Sequence, residues 1–375
     1  MRLNFLICLM LLSCLFSISC ASVDQPSAVE VERVQIGNYH SRALFGAALD
    51  QKKLSKKPLV ILIPGSGPNG PESFMPPELT LDHQNHPLLT EFAWPLRQAG
   101  FHTLQLGKPG VDYGYDENNA NKFYDLAMVK SVTWNDLILN LKNAVVYAKN
   151  RPDVDASHIY ILGHSQGTQV AVDYANRYKD VSGLLLLGFS GEDLKTMLSW
   201  QLFHRTFDLF IKPEVDANHD GMITASEAEK YPGIQFGLSK KKTKISIREL
   251  EKMQLNSKPL QEVYNSMALN KNLADVFARG PMYADVLKLE IPIFVFTGAL
   301  DVQTGPETAL KLDSLAKQQG KKNIQVTLVS GLGHGFSEPR APRKHKLLDL
   351  TLGPVDARFQ RDLKELAQSL ILNRN

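Results

Sequence analysis

The segment Ile159-Tyr160-Ile161-Leu162-Gly163-His164-Ser165-Gln166-Gly167 predicts a strand that turns abruptly into a helix. Its first four residues form the apolar run that a buried strand needs, and residues 168–178 can form a helix. Gly163 and Gly167 flank Ser165 in the pattern Gly-x-Ser-x-Gly, which allows a sharp turn because a side chain at either glycine would clash. A serine at the apex of this turn is exposed at the end of its strand, where it can serve as a nucleophile.

Apolar runs alternate with stretches of helical periodicity on both sides of this turn. We expect strands at 59–63, 101–106, 159–162, 184–189, 293–297 and 324–329. We expect helices at 88–98, 134–149 and 356–372. Thr133 is placed as the N-cap of the second of these helices. Such alternation is typical of an α/β fold, in which a mostly parallel sheet is flanked by crossover helices.

The composition is that of an ordinary globular protein. Of 375 residues, 43% are hydrophobic and 22% are charged, which excludes a chain that is disordered throughout. Lys and Arg number 42 against 39 Asp and Glu, so the net charge is only +3. Because nucleic acids select strongly basic surfaces, we do not expect a nucleic-acid partner.

The first 21 residues have the features of a secretory signal peptide. Arg2 precedes an apolar run, 3–18, and Ser19 and Ala21 are the small residues of a cleavage site after Ala21. The run is too short to span a membrane. We therefore expect an exported protein, either periplasmic or secreted.

A lipoprotein signal is the alternative for the same segment. Ser17-Ile18-Ser19-Cys20 resembles a bacterial lipobox, so the signal would comprise residues 1–19 and Cys20 would carry a lipid anchor. The cysteines are Cys8, Cys14 and Cys20. Since no cysteine follows residue 20, the body of the protein has no thiol with which to form a disulfide.

Two further side chains complete a candidate catalytic triad with Ser165. Asp301 and His334 each follow a predicted strand, and parallel strands end at one edge of a sheet. A serine needs a base to remove its proton and an acid to orient that base, so we assign these roles to His334 and Asp301. Glu192 and Asp193, which follow an earlier strand, are the alternative acids.

The Gly-x-Ser-x-Gly turn and the chain order Ser165, Asp301, His334 resemble the α/β-hydrolase superfamily from about Pro58 to the C-terminus, except for an insertion. Lys108-Pro109-Gly110-Val111 and the segment 151–155 are similar to its bacterial esterase and serine-aminopeptidase-like branch. The resemblance implies a serine hydrolase that needs no cofactor for its chemistry.

Backbone N–H groups are expected to stabilise the oxyanion that forms when an acyl carbonyl is attacked. Gln166, directly after the nucleophile, supplies one candidate donor. Ser66, in Pro64-Gly65-Ser66-Gly67, supplies the other, with Gly67 as the alternative. This loop departs from the family pattern, because many relatives have a His-Gly pair at this place.

The twelve residues from Asp216 to Glu227 match the EF-hand pattern D-x-[DN]-x-[DN]-G-x₅-E at every position. The predicted calcium ligands are Asp216, Asn218, Asp220, Met222, Thr224 and Glu227. No second such loop is recognised, and Pro213 and Pro232 shorten the flanking helices. We therefore expect a structural ion of the weak affinity seen in extracellular modules, about 10⁻⁴ to 10⁻³ M.

These features divide the chain after the signal into three parts. Residues 22–190 and 286–375 form the hydrolase core, and 191–285 form a helical cap with no convincing strand and the loop 216–227. The expected activity is cleavage of a carboxylic ester or related acyl bond of a small-molecule substrate. The alternatives are a serine aminopeptidase-like peptidase and a catalytically silent, calcium-binding surface protein.

Overall fold

The computed structural model describes residues 31–49, 56–114, 120–231, 236–239, 241–268, 274–340 and 349–372. The predicted signal segment, with Cys20, lies outside these residues. The chain divides into two compact units. Among the described residues, the smaller unit comprises Asp193–Arg279 and Asp349, and the larger unit comprises the rest.

An eight-stranded sheet forms the centre of the larger unit. Its strands are β1 (Val31–Ile36), β2 (Ser41–Gly46), β3 (Lys57–Ile63), β4 (His102–Leu106), β5 (Val154–His164), β6 (Gly183–Leu187), β7 (Ile293–Gly298) and β8 (Ile324–Val329). They lie in the order β1-β2-β4-β3-β5-β6-β7-β8. β2 runs antiparallel to both of its neighbours, β1 and β4, and the other neighbouring pairs are parallel. The predicted α/β fold class, with a mostly parallel sheet flanked by helices, is confirmed.

Five longer helices belong to this unit. They are α1 (Leu88–Ala99), α2 (Trp134–Asn150), α3 (Gln166–Tyr178), α4 (Pro306–Gln318) and α5 (Ala357–Leu372). Shorter helical turns occur at Pro77–Leu79, Ala120–Phe123, Leu126–Ser131 and Tyr283–Leu287, and Phe74–Met75 pairs with His86–Pro87. The N-cap prediction is confirmed, because Thr133 and Asp136 form a capping box at the start of α2.

An aromatic cluster fixes the chain beyond β8. Phe336 stacks on Phe359 of α5 with ring centroids 3.9 Å apart, and Phe92 of α1 meets Phe336 edge-on at 5.9 Å. All three side chains are fully buried. Burial of these rings strongly favours one conformation of the segment, and His334 lies two residues before Phe336.

The smaller unit is mainly helical. Its helices are Leu194–Ser199, Trp200–His204, Phe207–Val215, Ala225–Ala228, Ile247–Leu255, Lys258–Ala268 and Ala274–Phe277, the second and third being π-helical. The expectation of no strand here is wrong, because Met222–Thr224 pairs with Lys244–Ser246. Three-residue strands carry too little periodicity to be recognised in sequence.

None of the helices in the described parts of either unit combines the length and the apolar character that a membrane crossing requires.

Candidate active site

The turn after β5 holds Ser165 at the carboxyl end of the sheet. Ser165 has φ +53°, and its backbone N–H donates to the carbonyl of Leu187 over 2.8 Å. A Cβ at Gly163 would lie 2.3 Å from the carbonyl oxygen of Gly167, and one at Gly167 would lie 2.7 Å from that of Ile63. Both glycines are therefore required, as the sequence predicts. A positive φ at a non-glycine residue is strained backbone of the kind found at functional sites.

Asp301 and His334 form a buried pair. The Nδ1–H of His334 donates to Oδ2 of Asp301 over 2.8 Å, and Asp301 is only 1% exposed. The Oδ1 atom of Asp301 accepts the backbone N–H groups of Gln303 (2.7 Å) and Thr304 (3.0 Å). Burial alone would raise the pKa of Asp301, but His334 and these N–H donors outweigh it and lower the pKa below its usual range. A carboxylate bound to Nδ1–H leaves Nε2 free to accept a proton.

The imidazole of His334 lies against the same end of β6 that holds Ser165. A Cβ at Gly188 would be 3.0 Å from Cε1 of His334, and Gly188 follows Leu187, which binds the backbone of Ser165. The hydrogen bonds of the described residues do not include one between Ser165 Oγ and His334. Catalytic hydrogen bonds of this kind often form fully only with bound substrate. The two groups are brought to one place, and their direct bond remains a prediction.

His164 is a residue that sequence reasoning missed. Its Nε2–H donates to the carbonyl oxygen of His334 over 3.0 Å, and the two rings lie 4.9 Å apart. Burial, assisted by the neighbouring charge of His334, lowers the pKa of His164 to about 3, so this ring is neutral. The Gly-x-Ser-x-Gly pattern allows any residue at this position. The one signal in the sequence is that His164 is a polar residue at the end of a buried strand.

The predicted oxyanion loop lies directly against Ser165. A Cβ at Gly65 would be 3.0 Å from Cβ of Ser165. The Nδ2–H₂ group of Asn69 donates to the carbonyl of Ser66 (2.6 Å) and, at 3.3 Å, to those of Gly65 and Gly67. Asn69 therefore fixes the loop that carries the candidate donor Ser66.

The other predicted donor, Gln166, is the first residue of α3. Backbone N–H groups in the first turn of a helix have no partner within the helix, which suits them to bind an anion. The side-chain oxygen of Gln166 accepts a hydrogen bond from Nζ of Lys108 over 2.9 Å. The main chain of Gln166 thus lies next to Ser165, and its side chain is bound by Lys108.

The alternative acids are engaged elsewhere. Oε1 of Glu192 accepts from Tyr283 Oη (2.8 Å) and from Lys311 Nζ (2.7 Å). Asp193 caps the helix Leu194–Ser199 by accepting the N–H of Thr196 over 2.8 Å. The acid placed next to His334 is therefore Asp301.

The predicted calcium loop of the smaller unit has the turn that its sequence requires. Gly221 has φ +78°. Asp216 accepts the N–H groups of Asp220 (3.1 Å) and Gly221 (2.9 Å), and Asp220 accepts that of Met222 (2.8 Å). Oε2 of Glu227 accepts from Thr224, whose backbone N–H lowers the pKa of Glu227. Among the described residues, no three His, Cys, Asp or Glu side chains are gathered closely enough to hold a metal.

The loop 216–227 pairs with a second segment of the smaller unit, which lacks the EF-hand pattern. Ile223 lies opposite Ile245 in the short antiparallel pair, and both side chains are buried. Ser246 caps Ile247–Leu255 as Thr224 caps Ala225–Ala228, with a glutamate, Glu249 or Glu227, three residues later. The partner escaped notice because lysines stand where acids are expected, and Lys242 Nζ lies 2.7 Å from Glu249 Oε1.

No family model matches the sequence, and no curated protein matches it. Among solved structures the chain is similar to Est1E from Butyrivibrio proteoclasticus, at 13% identity and a TM-score of 0.46 over 92% of this chain and 98% of that one. It is similar to the meta-cleavage product hydrolase from Pseudomonas fluorescens IP01, at 14% identity and a TM-score of 0.44, over 92% of this chain and 98% of that one. It is also similar to esterase 2 of Thermogutta terrifontis, at 12% identity and a TM-score of 0.46, over 93% of this chain and 96% of that one.

Proposed function

We propose that the chain is a serine hydrolase that cleaves a carboxylic ester or a related acyl bond. The observation that supports the proposal is that a hydroxyl, an imidazole and a carboxylate lie at one edge of the sheet. Ser165 is at the apex of a strained turn, and the buried His334–Asp301 pair lies against the adjacent strand end. Serine, imidazole and carboxylate in this order are the parts of an acyl-transfer site.

The reaction divides into two steps. As Oγ of Ser165 bonds to the acyl carbon, His334 Nε2 takes the hydroxyl proton and then gives it to the leaving alcohol as the ester C–O bond breaks. Water then attacks the acyl-enzyme, again through His334, and releases the acid and free Ser165. Asp301 keeps the imidazole oriented. The N–H groups of Gln166 and Ser66 would bind the oxyanion, and one such donor is worth roughly 10²- to 10³-fold in rate.

Covalent labelling tests the proposal. A fluorophosphonate should label the wild type and not Ser165→Ala, and the same substitution should abolish hydrolysis of short aryl esters. Ser314→Ala on α4 is the matched control, since that exposed serine lies outside the site and should leave labelling unchanged. Labelling of folded protein that does not depend on Ser165 would remove the proposal and favour the catalytically silent alternative.

Substrate class follows from a graded panel. Aryl esters of increasing acyl length, thioesters and aminoacyl anilides all react through this constellation, so their relative kcat/KM values separate esterase from peptidase. We place carboxylic esters first. Anilide hydrolysis that exceeds ester hydrolysis would move the protein to the aminopeptidase-like alternative.

We also propose that the loop 216–227 holds a structural calcium ion. The donor set fits, because it consists of carboxylate, amide, hydroxyl and main-chain oxygens, which calcium prefers. Asp216, Asn218, Asp220 and Glu227 would supply side-chain oxygens, Met222 its carbonyl, and Thr224 its hydroxyl directly or through water. The ion would cross-link the loop and take no part in the chemistry at Ser165.

Export is the third part of the proposal. It rests on the charged start and apolar run of residues 1–21, with Cys20 as the point of lipid attachment in the alternative. Fractionation of cells that express the full chain tests it. Cys20→Ala should release the protein from membranes if the cysteine is lipidated and should change nothing if cleavage follows Ala21.

A further inference from the structure

Lys108 connects the two halves of the proposed oxyanion site. Its backbone N–H donates to the carbonyl of Asn69 over 2.9 Å, and Asn69 holds the Ser66 loop. Its Nζ donates to the side chain of Gln166 over 2.9 Å. One residue therefore contacts both chain segments from which the proposed oxyanion donors come.

The ammonium of Lys108 is paired with a neutral side chain in the part of the chain that the structure describes. Among the described residues no ion pair or hydrogen bond joins it to a carboxylate, and its polar partner is the neutral amide of Gln166. Desolvation lowers the pKa of Lys108 to about 7. Segments that contact the turn at 107–110 carry Glu72, next to Pro71, the Arg42–Asp112 ion pair and Asp125. His164, two residues before Gln166, and the His334–Asp301 pair lie on the Gln166 side.

We propose that Lys108 is a positioning residue of the hydrolase site whose positive charge stabilises the oxyanion of the transition state. The inference rests on the proposed function. An unpaired cation in a poorly solvated place is unfavourable in the free protein. When negative charge develops on the acyl oxygen beside Gln166, the attraction grows in a low-dielectric region. An interaction that strengthens only in the transition state raises kcat rather than lowering KM.

The test is the pH dependence of kcat with a neutral aryl ester. The wild type should show a limb that falls as the pH rises above about 7, because Lys108 then loses its proton. Lys108→Met should lower kcat by roughly 10²-fold at pH 6.5, with KM little changed, and should lack the falling limb. Lys108→Arg should restore part of the rate and keep it at high pH, because arginine does not titrate there.

Gln166→Glu is the sharpest variant, because it keeps the backbone donor and places a carboxylate beside the ammonium. An opposite charge raises the pKa of a lysine, so the falling limb should move to higher pH. Melting curves at each pH check that all variants are folded.

Several outcomes would overturn the inference. One is a falling limb that is unchanged in Lys108→Met or Gln166→Glu. Another is an equal loss of kcat in folded Lys108→Met and Lys108→Arg. The third is an effect confined to the KM for anionic esters. The last would make Lys108 a substrate-carboxylate site. If no turnover depends on Ser165, the proposed function fails first, and the labelling experiment detects that separately.

Discussion

The candidate active site and the candidate calcium loop are assembled in opposite ways. His164 and His334 are 170 positions apart in the chain and are joined by a hydrogen bond of 3.0 Å, and Asp301 is 1% exposed. The loop 216–227 takes all its oxygens from twelve consecutive residues, and its carboxylates accept N–H groups of the loop itself.

This difference determines what a substitution should do. At the sheet edge each group depends on a strand end that the core holds in place, so the geometry is fixed and loss of a member removes chemistry. In the loop the turn is formed locally, and an ion would add cross-links to a structure that already has its own hydrogen bonds. The active site should respond in rate by orders of magnitude, and the loop in stability by small amounts.

Replacement of the triad acid is the strongest test of the first half of this contrast. Asp301→Asn should lower kcat roughly 10⁴-fold, because the amide no longer holds the imidazole in the tautomer that accepts the serine proton. Steady-state hydrolysis of an aryl ester measures the loss. Glu192→Gln is the matched control and should stay within a few-fold of wild type, since Tyr283 and Lys311 bind Glu192. Equal losses in both variants would contradict the assignment.

The sequence predicted those parts of the fold and site that follow from local patterns combined with one rule of topology. The apolar runs located the six parallel strands from β3 to β8, and the shared edge of parallel strands brought Asp301 towards His334. β1 and β2 were not predicted. β1 is an edge strand that mixes exposed charges with half-buried residues, so it lacks the apolar run by which the other strands were recognised.

Contacts between side chains that are far apart in the chain could not be predicted. The bond from His164 to the carbonyl of His334, and that from Lys108 to Gln166, depend on how loops pack once the sheet has formed. The segment that pairs with the loop 216–227 was missed for another reason. Its recognisable features are a buried isoleucine, a capping serine and a glutamate, and these residue types are too common to stand out without acids.

Acid stability tests whether the active site is as tightly buried as its distances indicate. The unfolded chain binds a proton at His164 below about pH 6.5, whereas burial lowers the folded pKa to about 3. Since the unfolded state then binds more protons, the free energy of unfolding should fall as pH drops, by at most about 1.4 kcal/mol per unit between these values.

Urea unfolding between pH 6.5 and 5 measures this effect. His164→Asn removes the titrating imidazole, so the pH-dependent decrease in stability of about 2 kcal/mol over that interval should disappear. His83→Asn is the control, because His83 is exposed and its φ of +58° suits asparagine. Identical pH slopes in wild type and His164→Asn would show that His164 does not carry the acid sensitivity.

Calcium removal tests the second half of the contrast. With calcium at ten times its dissociation constant, binding should stabilise the protein by about 1.4 kcal/mol, and EDTA should lower the melting temperature by about 2 to 4 °C. Asp220→Ala should abolish the difference between the two melting curves. Lys242→Ala should preserve the difference, because Lys242 belongs to the paired segment 241–249, where its Nζ faces Glu249 in the wild type and no ion is proposed. Melting curves that EDTA leaves unchanged in the wild type would remove the ion.

The smallest expected effect separates the two paired loops themselves. Thr224 and Ser246 each cap a helix, so Thr224→Ala and Ser246→Ala should both destabilise by about 1 kcal/mol in EDTA. In calcium the two variants should diverge. Thr224 is also a proposed ligand, so its loss should reduce the calcium-dependent rise in melting temperature, whereas Ser246→Ala should keep the full rise. Equal behaviour in calcium would mean that the acidic loop differs from its lysine-rich partner in composition but not in ion binding.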